Sequence, residues 1–201
     1  MTDNLHRAAE EHFNRGNDLD ENGHRDAAIK AWQEAVELDP EHAAAHFNLG
    51  IAFADEGEPA RALHHLREAV RLDPFDVEAR RELAEVYLEQ DRFDDAINQL
   101  RQALNLAPSD GETAHLLAEV YLENEMWDAA AGALEAGAML EEDADLWFQL
   151  GRGYEHANRQ DDAILAYRRA LVCFPEHRES ADQLRMLHVP VEEPPDPDED
   201  S

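Results

Sequence analysis

Cysteine, lysine and long apolar runs are almost missing from this chain of 201 residues, and each shortage excludes something. A lone cysteine, Cys173, excludes an internal disulfide framework and any multi-cysteine metal cluster. No run of about 18 apolar residues occurs, and mean hydropathy is −0.66, so no membrane-spanning helix is expected. The opening MTDNLHRAAEEH has no basic segment leading into an apolar one. No secretory signal is therefore expected, and the expected location is cytoplasmic. No G-x-S-x-G, phosphate-binding loop or dinucleotide fingerprint is present, so an enzyme is not expected.

Charge is present in excess, and of one sign. Asp and Glu number 47 against 17 Lys and Arg, for a net charge of −30. Such a surface repels phosphate, which excludes a nucleic-acid partner. Lys30 is the single lysine; every other base is arginine. Many acids with almost no lysine suit a cell with molar internal salt, where a Debye length of about 3 Å screens self-repulsion. An acidic binding protein from an ordinary cell is the competing reading. The hydrophobic fraction of 43% supplies a proper core, so general disorder is excluded.

Repetition organises the chain. Pro40, Pro74 and Pro108 are evenly spaced, and Pro175 continues the series after one missing member. Five units follow: 9–42, 43–76, 77–110, 111–143 and 144–177. Each reads as two helices around a polar turn, with a helical stripe in the first: Leu49, Gly50, Phe53; Leu83, Ala84, Tyr87; Leu117, Ala118, Tyr121; Leu150, Gly151, Tyr154. Gly16 and Leu19 continue it in the first unit, where Arg15 interrupts it. Second helices repeat a small residue (Ala28, Ala62, Ala96, Ala130, Ala163), then a large one (Trp32, Leu66, Leu100, Leu134, Tyr167). A second small residue follows (Ala35, Ala69, Ala103, Gly137, Ala170). The small residues let paired backbones approach, and the large ones fill the space toward the next pair. A proline ends the unit because the residue before it avoids the α region. No unit buries its stripe alone, so stacking is required.

These residues resemble the tetratricopeptide repeat family, whose pattern is roughly W-x2-L-G-x2-Y, then A-x3-F-x2-A, then P. The resemblance covers 9–177 and departs at the first large position, where only Trp147 fits and His12, His46, Arg80 and Ala114 do not. It implies an all-α, right-handed solenoid of five helix-turn-helix units. Residues 178–188 read as a capping helix through Ala181, Leu184, Met186 and Leu187, and 189–201 as a disordered, acidic, proline-rich tail.

In the family, first helices line a concave groove that holds peptides. First helices here carry sixteen acids against four arginines; second helices are nearly balanced. Arg61, Arg67, Arg71, Arg168 and Arg169 sit on second helices, where helix C-termini attract cations. Groove-facing candidates are Phe13, Asn17, Phe47, Asn48 and Ile51, then Arg81, Glu82 and Glu85, then His115, Glu119, Phe148 and Arg152. The apolar ones lie off the packing stripe and suit the anchoring of a bound segment. The asparagines suit hydrogen bonding to an extended peptide backbone. The expected partner is a protein or peptide with a basic or apolar segment. A self-assembling structural protein is the alternative.

The family's chaperone-tail clamp for Hsp70 and Hsp90 is not expected. Asn17 and Asn48 match its asparagines, but Phe13, Glu78 and Glu82 occupy its cationic positions. No metal or cofactor is expected either. His42 and His46 frame H-A-A-A-H without the glutamate of a zinc protease, and His64-His65 point two ways round a helix. Cys173 reads as a buried, inert thiol. The fourth unit's second helix, with Gly132 and Gly137 and no cation, reads as a soft joint or a smooth docking patch.

Overall fold

The computed structural model describes residues 2–126, 128–133 and 144–191. Among the described residues every regular element is an α-helix: α1 (Thr2–Glu21), α2 (Arg25–Leu38), α3 (Ala43–Asp55), α4 (Pro59–Leu72), α5 (Val77–Leu88), α6 (Phe93–Leu106), α7 (Gly111–Glu123), α8 (Ala144–His156), α9 (Gln160–Cys173) and α10 (Arg178–Met186). Residues 128–133 are helical too. Leu134, Gly137 and the tail from 192 onward lie outside the described residues. The chain divides into two compact units, Met1–Leu106 and Ala107–Ser201. In the first, α1 packs on α2, α3 on α4 and α5 on α6, while α2 and α4 each pack on the next first helix. In the second, α8 packs on α9, α9 on α10 and α7 on α8.

The periodic stripe is the core. Leu49, Phe53, Leu83, Ala84, Tyr87, Leu117, Ala118, Tyr121, Leu150 and Tyr154 are buried, as are the described members of all three second-helix series. The large second-helix residue, however, packs into its own hairpin as well as toward the next pair. A Cβ placed on Gly16 would lie 2.4 Å from the Trp32 ring, and one on Gly151 the same distance from the Tyr167 ring. The missing side chain in the first helix is the seat for the ring in the second.

All five hairpin turns close in one way. Gly23, Gly57, Asp91, Glu125 and Asn158, one per turn, have φ between 55° and 77°. In each, the next amide donates back to the last large residue of the stripe: His24 to Leu19, Glu58 to Phe53, Arg92 to Tyr87, Met126 to Tyr121 and Arg159 to Tyr154, at 2.8–2.9 Å. This is the Schellman closure, which satisfies carbonyls left over at a helix end. At the other junction Asp39, Asp73 and Phe174, each preceding a proline, are extended, as the steric rule requires. His42, Asp76, Asp110 and His177 then cap the next helix, each accepting from the backbone amide three residues on.

Several expectations change. Arginines do not gather at helix C-termini: among described second helices only α4 has a base in its last turn. Arg61, Arg92 and Arg159 sit at helix starts instead. Their guanidinium carbons lie 3.5, 4.4 and 4.2 Å from the ring centroids of Phe53, Tyr87 and Tyr154. Each also pairs with a carboxylate three residues away: Glu58, Asp95 and Asp162. A planar, weakly hydrated guanidinium suits this double contact better than an ammonium. The first large position is polar in three repeats, and in two of them it is nevertheless buried. His46 and Arg80 reach back to the carbonyls of Pro40 and Pro74, and Arg80 also donates to Gln99 and Gln102. Cys173 is half-buried, beside exposed Val172 and Phe174. In α10 Leu184 is buried but Met186 is exposed; Leu187, Val189 and Val191 join the core cluster instead. The first residues of the expected tail therefore pack.

Candidate functional site

The first unit contains a hollow of about 350 Å³ lined by Phe13, Asn17, Asp20, Glu21, Arg25, Trp32, Asn48 and Ile51. Helical spacing puts Phe13, Asn17 and Asp20 on one face of α1, and Asn48 and Ile51 on one face of α3. Trp32 enters from α2 because glycine at position 16 leaves room for its ring. Its indole Nε1–H donates to Asn17 Oδ1 at 3.0 Å. An indole only donates, so this contact fixes which end of the Asn17 amide is oxygen. Asn48 Nδ2 donates to the same oxygen at 2.9 Å. Both side chains are thereby oriented. Asn17 Nδ2 and Asn48 Oδ1, a donor and an acceptor, have no partner among the described residues.

Arg25 closes one end. It pairs with Asp20 at 2.7 Å and with Asp55. Its charge is thus doubly countered, and Glu21 adds another carboxylate to the lining. Phe13 stacks obliquely on His42, with centroids 4.7 Å apart, and is half-buried, as is Ile51. The anchors are ledges rather than fully exposed rings.

Of the other candidates in the first unit, Phe47 is half-buried outside the hollow. Arg81, Glu82 and Glu85 lie on α5. Burial raises the Glu82 carboxyl above the usual range; Glu85, Glu78 and Asp55 reinforce this and Arg81 opposes it. In the second unit His115 pairs with Glu119 at 3.3 Å. Phe148 packs against the Tyr167 and His177 rings, 5.8 and 5.3 Å away, so it belongs to that unit's core cluster. Arg152 is exposed. Four candidates therefore converge on the hollow: Phe13, Asn17, Asn48 and Ile51. Trp32 and Arg25 were missed. Trp32 was legible as core, but nothing in the spacing showed that its indole nitrogen would organise the asparagines.

Among the described residues no group of three or more His, Cys, Asp or Glu side chains is placed to hold a metal ion. No helix among them is long and apolar enough to cross a membrane.

Tetratricopeptide repeat models match residues 13–76, 53–120, 88–150 and 144–177. No curated protein sequence matches the chain. Among solved structures, a MamA protein aligns with a TM-score of 0.72 at 22% identity, over 92% of this chain and 98% of its own. YrrB, described as a TPR protein with an unusual peptide-binding site, aligns at 0.71 and 19%, over 92% and 100%. PilF of Pseudomonas aeruginosa aligns at 0.65 and 20%, over 92% and 94%. Similarity at this level establishes the fold. With repeat models matched from residue 13 to residue 177 and the repeated burial pattern behind them, the chain belongs to the tetratricopeptide repeat family.

Proposed function

We propose that this chain is a non-catalytic scaffold that holds an extended segment of another protein in the hollow between α1 and α3. One observation carries the reading: the indole of Trp32 locks Asn17, and Asn17 locks Asn48. A donor and an acceptor are left at a half-apolar surface, matching the carbonyl and N–H that an extended peptide presents. Phe13 and Ile51 offer ledges for a side chain of the segment. Asp20 and Glu21 beside them favour a segment carrying a basic residue. In a cell of high internal salt the apolar contacts supply most of the affinity, and the carboxylates select. YrrB, of the same fold, is described as binding peptide, which fits this use of the architecture.

The test is selection of peptides from a random display library on the full-length protein, at low and molar salt. The expected binders pair an apolar residue with Arg or Lys. Asn48→Ala and Phe13→Ala each weaken them by about tenfold, equivalent to about 1.4 kcal/mol. Glu119→Lys leaves them unchanged. Peptides that bind Asn48→Ala and Phe13→Ala as well as the parent would remove the hollow as the site. A concentration-dependent dimer by light scattering, abolished by the same two substitutions, would replace the scaffold reading with self-assembly.

A further inference from the structure

The outward faces of the described second helices differ in one place. At the repeat position held by Lys30 on α2, His64 on α4 and Asn98 on α6, α9 carries Leu165. Two turns further along the same face, Glu37, Arg71 and Asn105 give way to Val172. All these side chains are exposed, Leu165 by 62% and Val172 by 72%. A lone exposed leucine is ordinary; the charges around this one are ordered. Asp161 and Asp162 stand one turn before Leu165, and Arg168 and Arg169 one turn after it. Asp161 and Arg168 have no ion-pair or hydrogen-bond partner among the described residues. Asp162 pairs with Arg159 at 2.8 Å, and Arg169 lies over the Trp147 ring.

A row of two carboxylates, a leucine and two guanidiniums is its own complement when turned end for end. Two copies of α9 laid antiparallel and crossing at Leu165 set Asp161 against Arg169 of the second copy, and Asp162 against its Arg168. A two-fold axis between the leucines repeats both pairings. Charge disfavours the other arrangements. In a parallel pair like charges meet throughout. Sliding the antiparallel pair until Leu165 meets Val172 sets Arg168 against Arg169 and gathers four guanidiniums at the axis. Net charge points to the same helix. Each copy carries −30, yet residues 144–191, which build α8, α9 and α10, hold seven acids and six arginines. A contact through α9 therefore brings nearly balanced stretches together. We propose that Leu165 is the centre of a self-complementary surface through which two copies of this chain dimerise by α9. The helix contributes no residue to the hollow, so dimerisation and peptide binding are separate properties. A one-helix contact falls short of the about 1,200 Å² buried in stable interfaces, so the dimer is reversible and depends on concentration.

The test is sedimentation equilibrium of the full-length protein in about 1 M salt, which screens repulsion between whole copies more than pairs in contact. A monomer–dimer equilibrium is expected. Leu165→Glu, at an exposed position, should weaken it by about 30-fold or more, the effect of losing an anchor at a contact centre. Asp161→Arg with Asp162→Arg should leave the chain monomeric, as should Arg168→Glu with Arg169→Glu. An equimolar mixture of these two double variants, each checked for fold by circular dichroism, should dimerise. Asp162 and Arg169 also serve their own hairpin, so a reading without substitution accompanies these. In nitrogen-15 spectra of the parent, amides from Asp161 to Val172 should shift with protein concentration while those of α1 and α3 do not. Selected peptides should bind Leu165→Glu as they bind the parent, which separates this surface from the hollow. A monomer at every concentration, or a dimer that Leu165→Glu leaves intact, overturns the proposal. So does a mixture of folded double variants that associates no more than its components.

Discussion

In the α1–α2 hairpin the ring of Trp32 lies over Gly16; in the α8–α9 hairpin the ring of Tyr167 lies over Gly151. The packing problem and its solution are the same: an aromatic residue on the second helix fills the place of a side chain absent from the first. The polar tips differ. The Trp32 indole donates to Asn17, which passes the orientation on to Asn48 at the wall of a hollow. The Tyr167 hydroxyl donates to Glu155 within its own hairpin, and burial beside that carboxylate raises its pKa. Phe148, from the position next to that of the hollow's Asn48 in the repeat, packs against Tyr167 and His177 rather than standing at an opening. One scaffold rule thus yields an organised, accessible polar pair in one place and a closed core contact in the other. Burial pattern alone does not distinguish them; the partner of the ring's polar atom does.

The shared part of this comparison breaks first under Gly16→Ala and Gly151→Ala. Each drives a methyl group into a ring and is expected to cost about 1–3 kcal/mol by overpacking. Thermal denaturation reads the loss, and Trp32→Leu should recover most of it for Gly16→Ala. Gly132→Ala is the contrast. Its Cβ meets nothing within 4 Å, so it should gain up to about 1 kcal/mol from helix propensity. A loss at Gly132 as large as that at Gly151 would show that glycine is needed there for something other than room.

The part that differs is reached by Trp32→Phe and Tyr167→Phe. Each keeps a ring and removes one hydrogen bond, at about 1–2 kcal/mol. Stability should fall in both, and further in Trp32→Phe, which also leaves part of the indole's buried volume empty. Binding of selected peptides should fall only in Trp32→Phe, because only there does the lost bond release Asn17 and Asn48. Equal effects on binding would mean that the indole does not organise the hollow.

The turns permit a smaller test. Gly57 in the first unit and Glu125 in the second adopt the same left-handed conformation, with φ of 69° and 57°. Glutamate is strained there and glycine is not, so Glu125→Gly should gain about 0.5 kcal/mol and Gly57→Glu should lose about 1 kcal/mol. Chemical denaturation with an unchanged slope distinguishes this local effect from a change in the denatured chain.

The fold was legible because it rests on size and spacing. The residue types at Leu49, Tyr87 and Ala163 return from repeat to repeat, and residues three or four apart share one helix face whatever stands between them. The turns were half legible. Gly23 and Gly57 announce a positive φ, whereas Asp91, Glu125 and Asn158 adopt it under pressure from the helices they join. The site was legible only as a face. Phe13, Asn17, Asn48 and Ile51 follow from periodicity, but the bond that sets them in order joins Asn17 to Trp32 across a hairpin. His46 meeting His65 is likewise a contact between helices. Arginine in place of lysine read as composition, yet Arg61, Arg92 and Arg159 each cover a ring and hold a carboxylate. A count of residue types does not contain that pairing.

The smallest effect concerns the acids of α5, Glu78, Glu82 and Glu85. Glu82 is half-buried, and its carboxyl is raised by that burial and by Glu85, Glu78 and Asp55. The folded chain therefore holds this proton to a higher pH than the unfolded chain does. Stability falls as pH rises from the ordinary glutamate value through the raised folded value, and stays lower above it. Glu82→Gln removes the ionisation, so the substitution should be close to neutral at pH 4 and stabilising at pH 7, by less than about 1 kcal/mol because the group is partly solvated. In molar salt the net part due to Glu85, Glu78 and Asp55 against Arg81 is screened while the burial part persists. The gain at pH 7 should then shrink without vanishing. A gain that disappears entirely would assign the raised pKa to neighbouring charge alone, and an unchanged gain would assign it to burial alone.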